Sequence, residues 1–196
     1  VGGDLINAIQ CLIQLGRVNE IDEFREAVIA AHSENWRLLE AAAQSYLSGA
    51  QSDGFIVAGK FERGAYREGG RHVSSRDRDR VRALQLLVKG MDLARRDPNR
   101  QEAGRYFLTL ATTLNAVGES WRLQSLTDLE TLPDYDPQVY RIWMRDNAGA
   151  PVQPDGTPVY YQTPREFAEA KNDGERWRWA LSQAVEADQG QLNVTR

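Results

Sequence analysis

The sequence predicts an all-α fold: an array of antiparallel helical hairpins with degenerate repeats and short extended or β-hairpin inserts. Three observations carry that prediction. Helices open repeatedly on a Trp-Arg pair behind a capping residue, as in Asn35-Trp36-Arg37, Ser120-Trp121-Arg122 and Asp173 ahead of Trp177-Arg178. Apolar residues recur at three-four spacing. The first loops are only a few residues long, which makes neighbouring helices antiparallel. In this reading Trp36, Trp121 and Trp177 fill the gaps between hairpins and are buried there.

The first helices occupy 1–52. Leu5, Ile9 and Leu12 mark the first, which Gly16 ends. Ile21, Phe24, Val28 and Ala31 stripe the second, with Glu20, Asp22, Glu23, Arg25 and Glu26 on its wet side. Leu39, Ala42, Ala43, Tyr46 and Leu47 stripe the third. A Gly/Arg-rich insert spans 53–75, where Gly54 to Phe61 is β-branched, aromatic and bounded by glycine, hence extended or irregular. Central helices follow over 76–132. Val81, Leu84, Val88 and Met91 mark one; Asp97-Pro98 opens the next, striped by Ala103, Phe107, Leu110, Leu114 and Val117 up to Gly118. Leu123, Leu126 and Leu129 extend the helical pattern to Pro133. A loop or β-hairpin insert covers 133–163, with a turn at Pro154-Asp155-Gly156-Thr157 between Val152 and Val159-Tyr160-Tyr161. C-terminal helices fill 164–190, opened by the capping-box pattern Thr163-Pro164-Arg165-Glu166.

Helical hairpins of this kind are TPR-like, although no clean period of about 34 residues emerges. Ala103-x3-Phe107 fits the second helix of such a repeat, whereas Trp36-x2-Leu39 is followed by Glu40 where the repeat wants glycine. The 196 residues are accordingly read as one TPR-like domain cut from a longer chain, since Val1-Gly2-Gly3-Asp4 lacks an initiator Met and a leader pattern.

Composition narrows the function classes. With 41% hydrophobic and 27% charged residues the chain has the make-up of a folded soluble protein. A net charge of -4 argues against a nucleic-acid binder. No apolar run approaches the roughly 18 residues of a membrane span. One cysteine allows no internal disulfide.

The chemical constellations are sparse. His32, His72 and Cys11 fall on separate elements and predict no metal site, and no cofactor motif is present. Gly59-x4-Gly64 has the glycine spacing of a P-loop without the Lys-Ser/Thr that would follow. Cys11 lies on the apolar stripe of the first helix, which predicts a shielded, slow-reacting thiol. Arg176-Trp177-Arg178-Trp179 could meet a membrane surface or stack on bases, but Trp at a hairpin junction is ordinarily core. The arginines of the stretch from Lys60 to Arg82 leave two readings open. Arg63, Arg67, Arg71, Arg76 and Arg78 could form a docking surface for an acidic partner. Alternatively they pair internally with Glu62, Glu68, Asp77, Asp79 and the acidic second helix.

Several stretches together are more specific: Ala8-Ile9-Gln10-Cys11-Leu12 with Leu15-Gly16-Arg17-Val18, Asn35-Trp36-Arg37-Leu38-Leu39, the segment from Gly54 to Phe61, Asp79-Arg80-Val81-Arg82-Ala83-Leu84, Trp121-Arg122-Leu123-Gln124 and Asp173-Gly174-Glu175-Arg176-Trp177-Arg178-Trp179. This series resembles the helical N-terminal region of large bacterial alpha-2-macroglobulin-like proteins, of the kind common in planctomycetes. The resemblance implies a protease-trapping, periplasmic or secreted host protein with many β-sandwich domains and often a reactive thioester. It carries no functional residue to this segment. Cys11-Leu12-Ile13-Gln14 only mimics the family's Cys-x-Glu-Gln, because Ile13 stands at the Glu position.

The expected function is therefore a non-catalytic scaffold or protein-interaction module of such an endopeptidase inhibitor, with protein partners that include proteases through the full-length protein. Nucleic acid and membrane insertion are not expected. The alternatives are a stand-alone TPR-like adaptor for a protein partner, or an enzyme using the loop carboxylates Asp134, Asp136, Asp146 and Asp155.

Overall fold

The computed structural model describes residues 1–48, 52–64, 68–115, 123–137 and 152–194. They cluster into two compact units, Val1–Leu93 with Leu129–Trp143 and Ala94–Asp128 with Met144–Arg196.

The first unit begins with three helices: α1 (Gly2–Gln14), α2 (Ile21–Ala31) and α3 (Trp36–Leu47). Glycine ends α1 for a physical reason. Gly16 takes φ +70, and its N–H and that of Arg17 return to the carbonyls of Ile13 and Leu12. That double return satisfies carbonyls the helix would otherwise leave open. Asn35 caps α3, its Oδ1 accepting from the N–H groups of Arg37 and Leu38 at 3.1 and 3.2 Å. Behind the cap, Trp36, Leu38, Leu39, Ala42, Ala43 and Tyr46 are buried, together with Leu5 and Ile9 of α1 and Ile21 and Ile29 of α2.

An antiparallel sheet follows, and it overturns the all-α, TPR-like expectation. Strands β1 (Asp53–Val57), β2 (Lys60–Arg63), β3 (Arg71–Ser74) and the two-residue β4 (Asp136–Pro137) lie in the order β2-β1-β3-β4. The fold is mixed α/β. Its physical origin is the run from Gly54 to Phe61, whose β-branched and aromatic residues fit a pleated, half-buried surface. The run folds back on itself at a two-residue turn, with Val57 paired to Lys60 and Ala58 and Gly59 both at positive φ, +48 and +80. Positive φ at both central positions matches the turn to the strand twist. Val73 of β3 is wholly buried, so the sheet contributes to the core and is not an excursion from a helical array. Helix α4 (Arg76–Arg95) then buries Val81, Ala83, Leu84, Leu86 and Leu87.

The second unit is built on α5 (Arg100–Asn115) and α6 (Asp173–Val194). The three-four stripe of α5 is the buried one: Ala103, Phe107, Leu110 and Leu114 are all at most 2% exposed. Gly104 faces Ala187 and Phe107 meets Trp179, so the two helices run antiparallel. Phe107, Trp179 and Phe167 stack edge to face at centroid distances of 5.8 and 5.5 Å.

Several boundaries differ from the sequence reading. Asn99, not Asp97, caps α5, accepting from Glu102 N–H at 3.2 Å, so the helix opens at Arg100 and not at Pro98. Leu123 begins no helix that reaches Pro133, and Leu126 is exposed. Thr163-Pro164-Arg165-Glu166 leads only to a single 3-10 turn, Phe167–Glu169, because Glu166 is extended and its side chain makes no cap bond. The expected hairpin around Asp155 shrinks to one bridge, Val152 with Pro158. Cys11 is exposed, so the shielded thiol is not what the fold provides. Gly118, Ser120 and Trp121 lie outside the described residues.

Ala58 holds a left-handed conformation that an L side chain adopts at a cost of about 1–2 kcal/mol, and asparagine tolerates it better. Ala58→Asn should therefore raise unfolding stability by about 0.5–1 kcal/mol, measured as a higher urea midpoint at unchanged slope.

Candidate functional site: a buried arginine–carboxylate network

The first unit gathers charged side chains from α2, β2 and α4 around Arg63, the last residue of β2. Arg63 lies on the same side of the sheet as Gly54 and Val73, the residues in register across β1 and β3. Its side chain is 6% exposed. The Nε–H donates to both oxygens of Asp22 at 3.0 Å, while Nη1 and Nη2 donate to the two oxygens of Asp79 at 2.8 and 2.9 Å. Such fork-on-carboxylate pairing is the strong form of a charge-assisted bond. Ser75 closes the cluster: its hydroxyl accepts from Arg63 Nη1 at 3.1 Å and stands 2.7 Å from Asp79 Oδ2 and 3.0 Å from the Ser52 carbonyl, either of which it can donate to.

A second arm shares the same face of α2, where Asp22, Arg25 and Glu26 fall at i, i+3 and i+4. Arg82 of α4 grips Glu26 through two bonds, at 2.8 and 2.6 Å, and the Tyr46 hydroxyl donates to Glu26 Oε1 at 2.5 Å. Arg25, with a side chain 4% exposed, has its Cζ over the Tyr46 ring at 3.8 Å from the centroid and its Nη1 3.7 Å from Asp22. Its Nε and Nη1 find no hydrogen-bond acceptor. Stacking on an aromatic face is what a guanidinium, less tightly hydrated than an ammonium, can use in place of acceptors.

Electrostatics fix the charge states. Burial works to raise the Glu26 carboxyl, but the bonds from Arg82 and Tyr46 and the charges of Arg82 and Arg25 outweigh it and hold it below its ordinary value. Burial, then the bond to Glu26, pushes the Tyr46 hydroxyl well up. Burial opposes the charge on Arg63, yet Asp79 and Asp22 bind the proton more firmly than usual. Arg82 is raised chiefly by its bond to Glu26. The shifts keep Glu26, Arg63 and Arg82 charged and Tyr46 protonated and uncharged.

The five arginines proposed for docking separate. Arg63 is buried in ion pairs, and Arg67 lies outside the described residues. Arg71 and Arg76 are exposed. Arg78 is half-buried, donating to the Pro133 carbonyl at 2.8 Å with its guanidinium 4.9 Å over the Tyr135 ring. For Arg63 and Arg82 the internal reading describes the geometry, with the acidic second helix supplying Asp22 and Glu26. Trp36 is buried; Trp177 is half-buried, a turn inside α6, and the buried tryptophan of that helix is Trp179. Of the loop carboxylates, Asp134 and Asp136 are exposed, Asp155 accepts from Thr157 within its own turn, and Asp146 lies outside the described residues.

Sequence reasoning missed Arg25 as a buried residue and Asp22 and Glu26 as its companions, because charges on a helix ordinarily mark the solvated side. A detectable signal was present: the i, i+3, i+4 placement of Asp22, Arg25 and Glu26, together with the arginine-rich stretch from Lys60 to Arg82.

Among the described residues no group of three or more His, Cys, Asp or Glu could hold a metal ion, and no helix is long and apolar enough to cross a membrane. No family model, curated protein or solved structure matches the chain.

Replacing Arg63 with Met should cost about 3–5 kcal/mol by stranding the Asp79 carboxylate, and adding Asp79→Leu should recover most of the loss. Urea unfolding of the single and double variants measures this. Glu26 supplies a pH dependence of known sign. Its folded value is lowered, so its stabilising contribution is present above the ordinary 4.5 and is lost as pH falls through the folded value. Glu26→Gln should flatten that part of the stability profile, read from urea midpoints between neutral pH and the acid limit.

Proposed function

We propose that this chain is a non-catalytic scaffold and protein-interaction module within a larger alpha-2-macroglobulin-like endopeptidase inhibitor of a bacterial periplasm or exterior. The observation that carries the non-catalytic reading is the direction of the shifts in the charged network. General acid–base chemistry wants groups poised near the working pH. All four are moved away from it: Glu26, Arg63 and Arg82 hold fixed charges, and Tyr46 stays protonated and uncharged. A network of that kind positions backbone elements; it does not shuttle protons. The link to a protease-trapping host rests on the resemblance of the motifs from Ala8 to Trp179.

The coding sequence beyond Arg196 tests the proposal. A long β-rich continuation bearing Cys-x-Glu-Gln is expected. A stop codon directly after Arg196 would overturn the host assignment and leave an independent adaptor.

A further inference from the structure

We propose that the Tyr160–Tyr161 peptide bond is a processing site for an endopeptidase whose specificity pocket takes an aromatic side chain, and that the cut chain stays assembled. Tyr160 is 82% exposed, and every other described Phe, Trp or Tyr side chain is buried or half-buried. The backbone around it belongs to no helix or strand and is held at both ends. Upstream, Gln153 N–H reaches the Thr157 carbonyl at 2.6 Å, Gly156 N–H reaches that of Gln153 at 2.8 Å, and Val152 bridges Pro158. Downstream, Trp179 Nε1 donates to the Arg165 carbonyl at 3.2 Å. Between these anchors, among the described residues, no backbone hydrogen bond engages Tyr160 to Thr163.

An exposed segment outside helix and sheet, with one projecting side chain, is what an extended-peptide cleft can draw in: main-chain bonds for affinity, a pocket for specificity. Exposed loop segments are where nicking concentrates. In the cleavage, water adds hydroxyl to the Tyr160 carbonyl carbon and hydrogen to the Tyr161 nitrogen as the C–N bond breaks, leaving a carboxylate and an ammonium.

The fragment beginning at Tyr161 has reasons to stay. The Tyr161 ring lies over Gly174, so close that a Cβ there would fall 2.4 Å from it. Trp179 packs on Phe107 of the other fragment. Asp173 accepts from Thr127 N–H at 3.1 Å and from its hydroxyl, and Arg176 donates to the Thr127 carbonyl at 2.8 Å.

The test is brief digestion of the native full chain with chymotrypsin, limited to single cuts and read by intact mass. Fragments ending at Tyr160 and starting at Tyr161 are expected, eluting together on a native sizing column and apart in urea. Tyr160→Ser should slow cleavage of that bond roughly tenfold or more, with the thermal midpoint unchanged. A bond left intact in the native chain but cut in the urea-unfolded one would overturn the site. So would an undiminished cutting rate in Tyr160→Ser, at that bond or after Tyr161. Separation of the fragments on the native column would overturn the assembled state.

Discussion

A guanidinium taken out of water at the end of β2 constrains everything around it in the first unit. Arg63 cannot shed its charge, so carboxylates must come to it from α2 and α4 at once. The pairing also fixes the strand. Shifting β2 by one residue would turn Arg63 to the opposite face of the sheet and leave Asp79 buried without a cation. Buried ion pairs often add little net stability over apolar replacements, because desolvation offsets the attraction. What this one supplies is uniqueness: a helix, a strand and a second helix share a single acceptable arrangement.

How much of this was legible in the sequence depends on what each element's pattern encodes. The helices with strong stripes or local caps, α1 with Gly16, α3 behind Asn35 and α5 through Phe107 and Leu114, could be read directly, since those signals are local. The sheet could not. Gly54 to Phe61 announced an extended segment, but its partner β3 is a short polar run, Arg71–Ser74, whose pairing depends on distant contacts. The Leu123–Leu129 stripe and the Thr163 capping pattern misled for the opposite reason, because local propensity there yields to other contacts. Asp173, taken as a cap, instead turns its carboxylate to Thr127 and Arg176, and Asn172 does the capping. The candidate site was the least legible part. Asp22, Arg25 and Glu26 read as a solvated face, and only the arrival of Arg63 and Arg82 from elsewhere turns that face inward.

The second unit solves a different problem. Its core is aromatic, with Tyr106, Phe107, Phe167 and Trp179 set at steep angles, and small residues let α5 and α6 approach closely. Alanines at 180, 184 and 187 on α6 leave room for the bulk of α5 to interdigitate. Polar ties join this core at the N-terminal end of α6, where Asp173 and Arg176 tie down the segment at Thr127.

That pairing of α5 with α6 sets a timetable for the chain. The two helices close on each other across everything between Asn115 and Asp173, so the entropy of a long loop must be overcome before their contacts give any return. During synthesis α5 emerges with its Phe107 stripe facing nothing from α6, whereas α1, α2 and α3 are neighbours in sequence and meet at once. Contacts between α5 and α6 thus form only once Trp179 has been synthesised, and until then the Phe107 stripe of the nascent chain lacks its α6 partner.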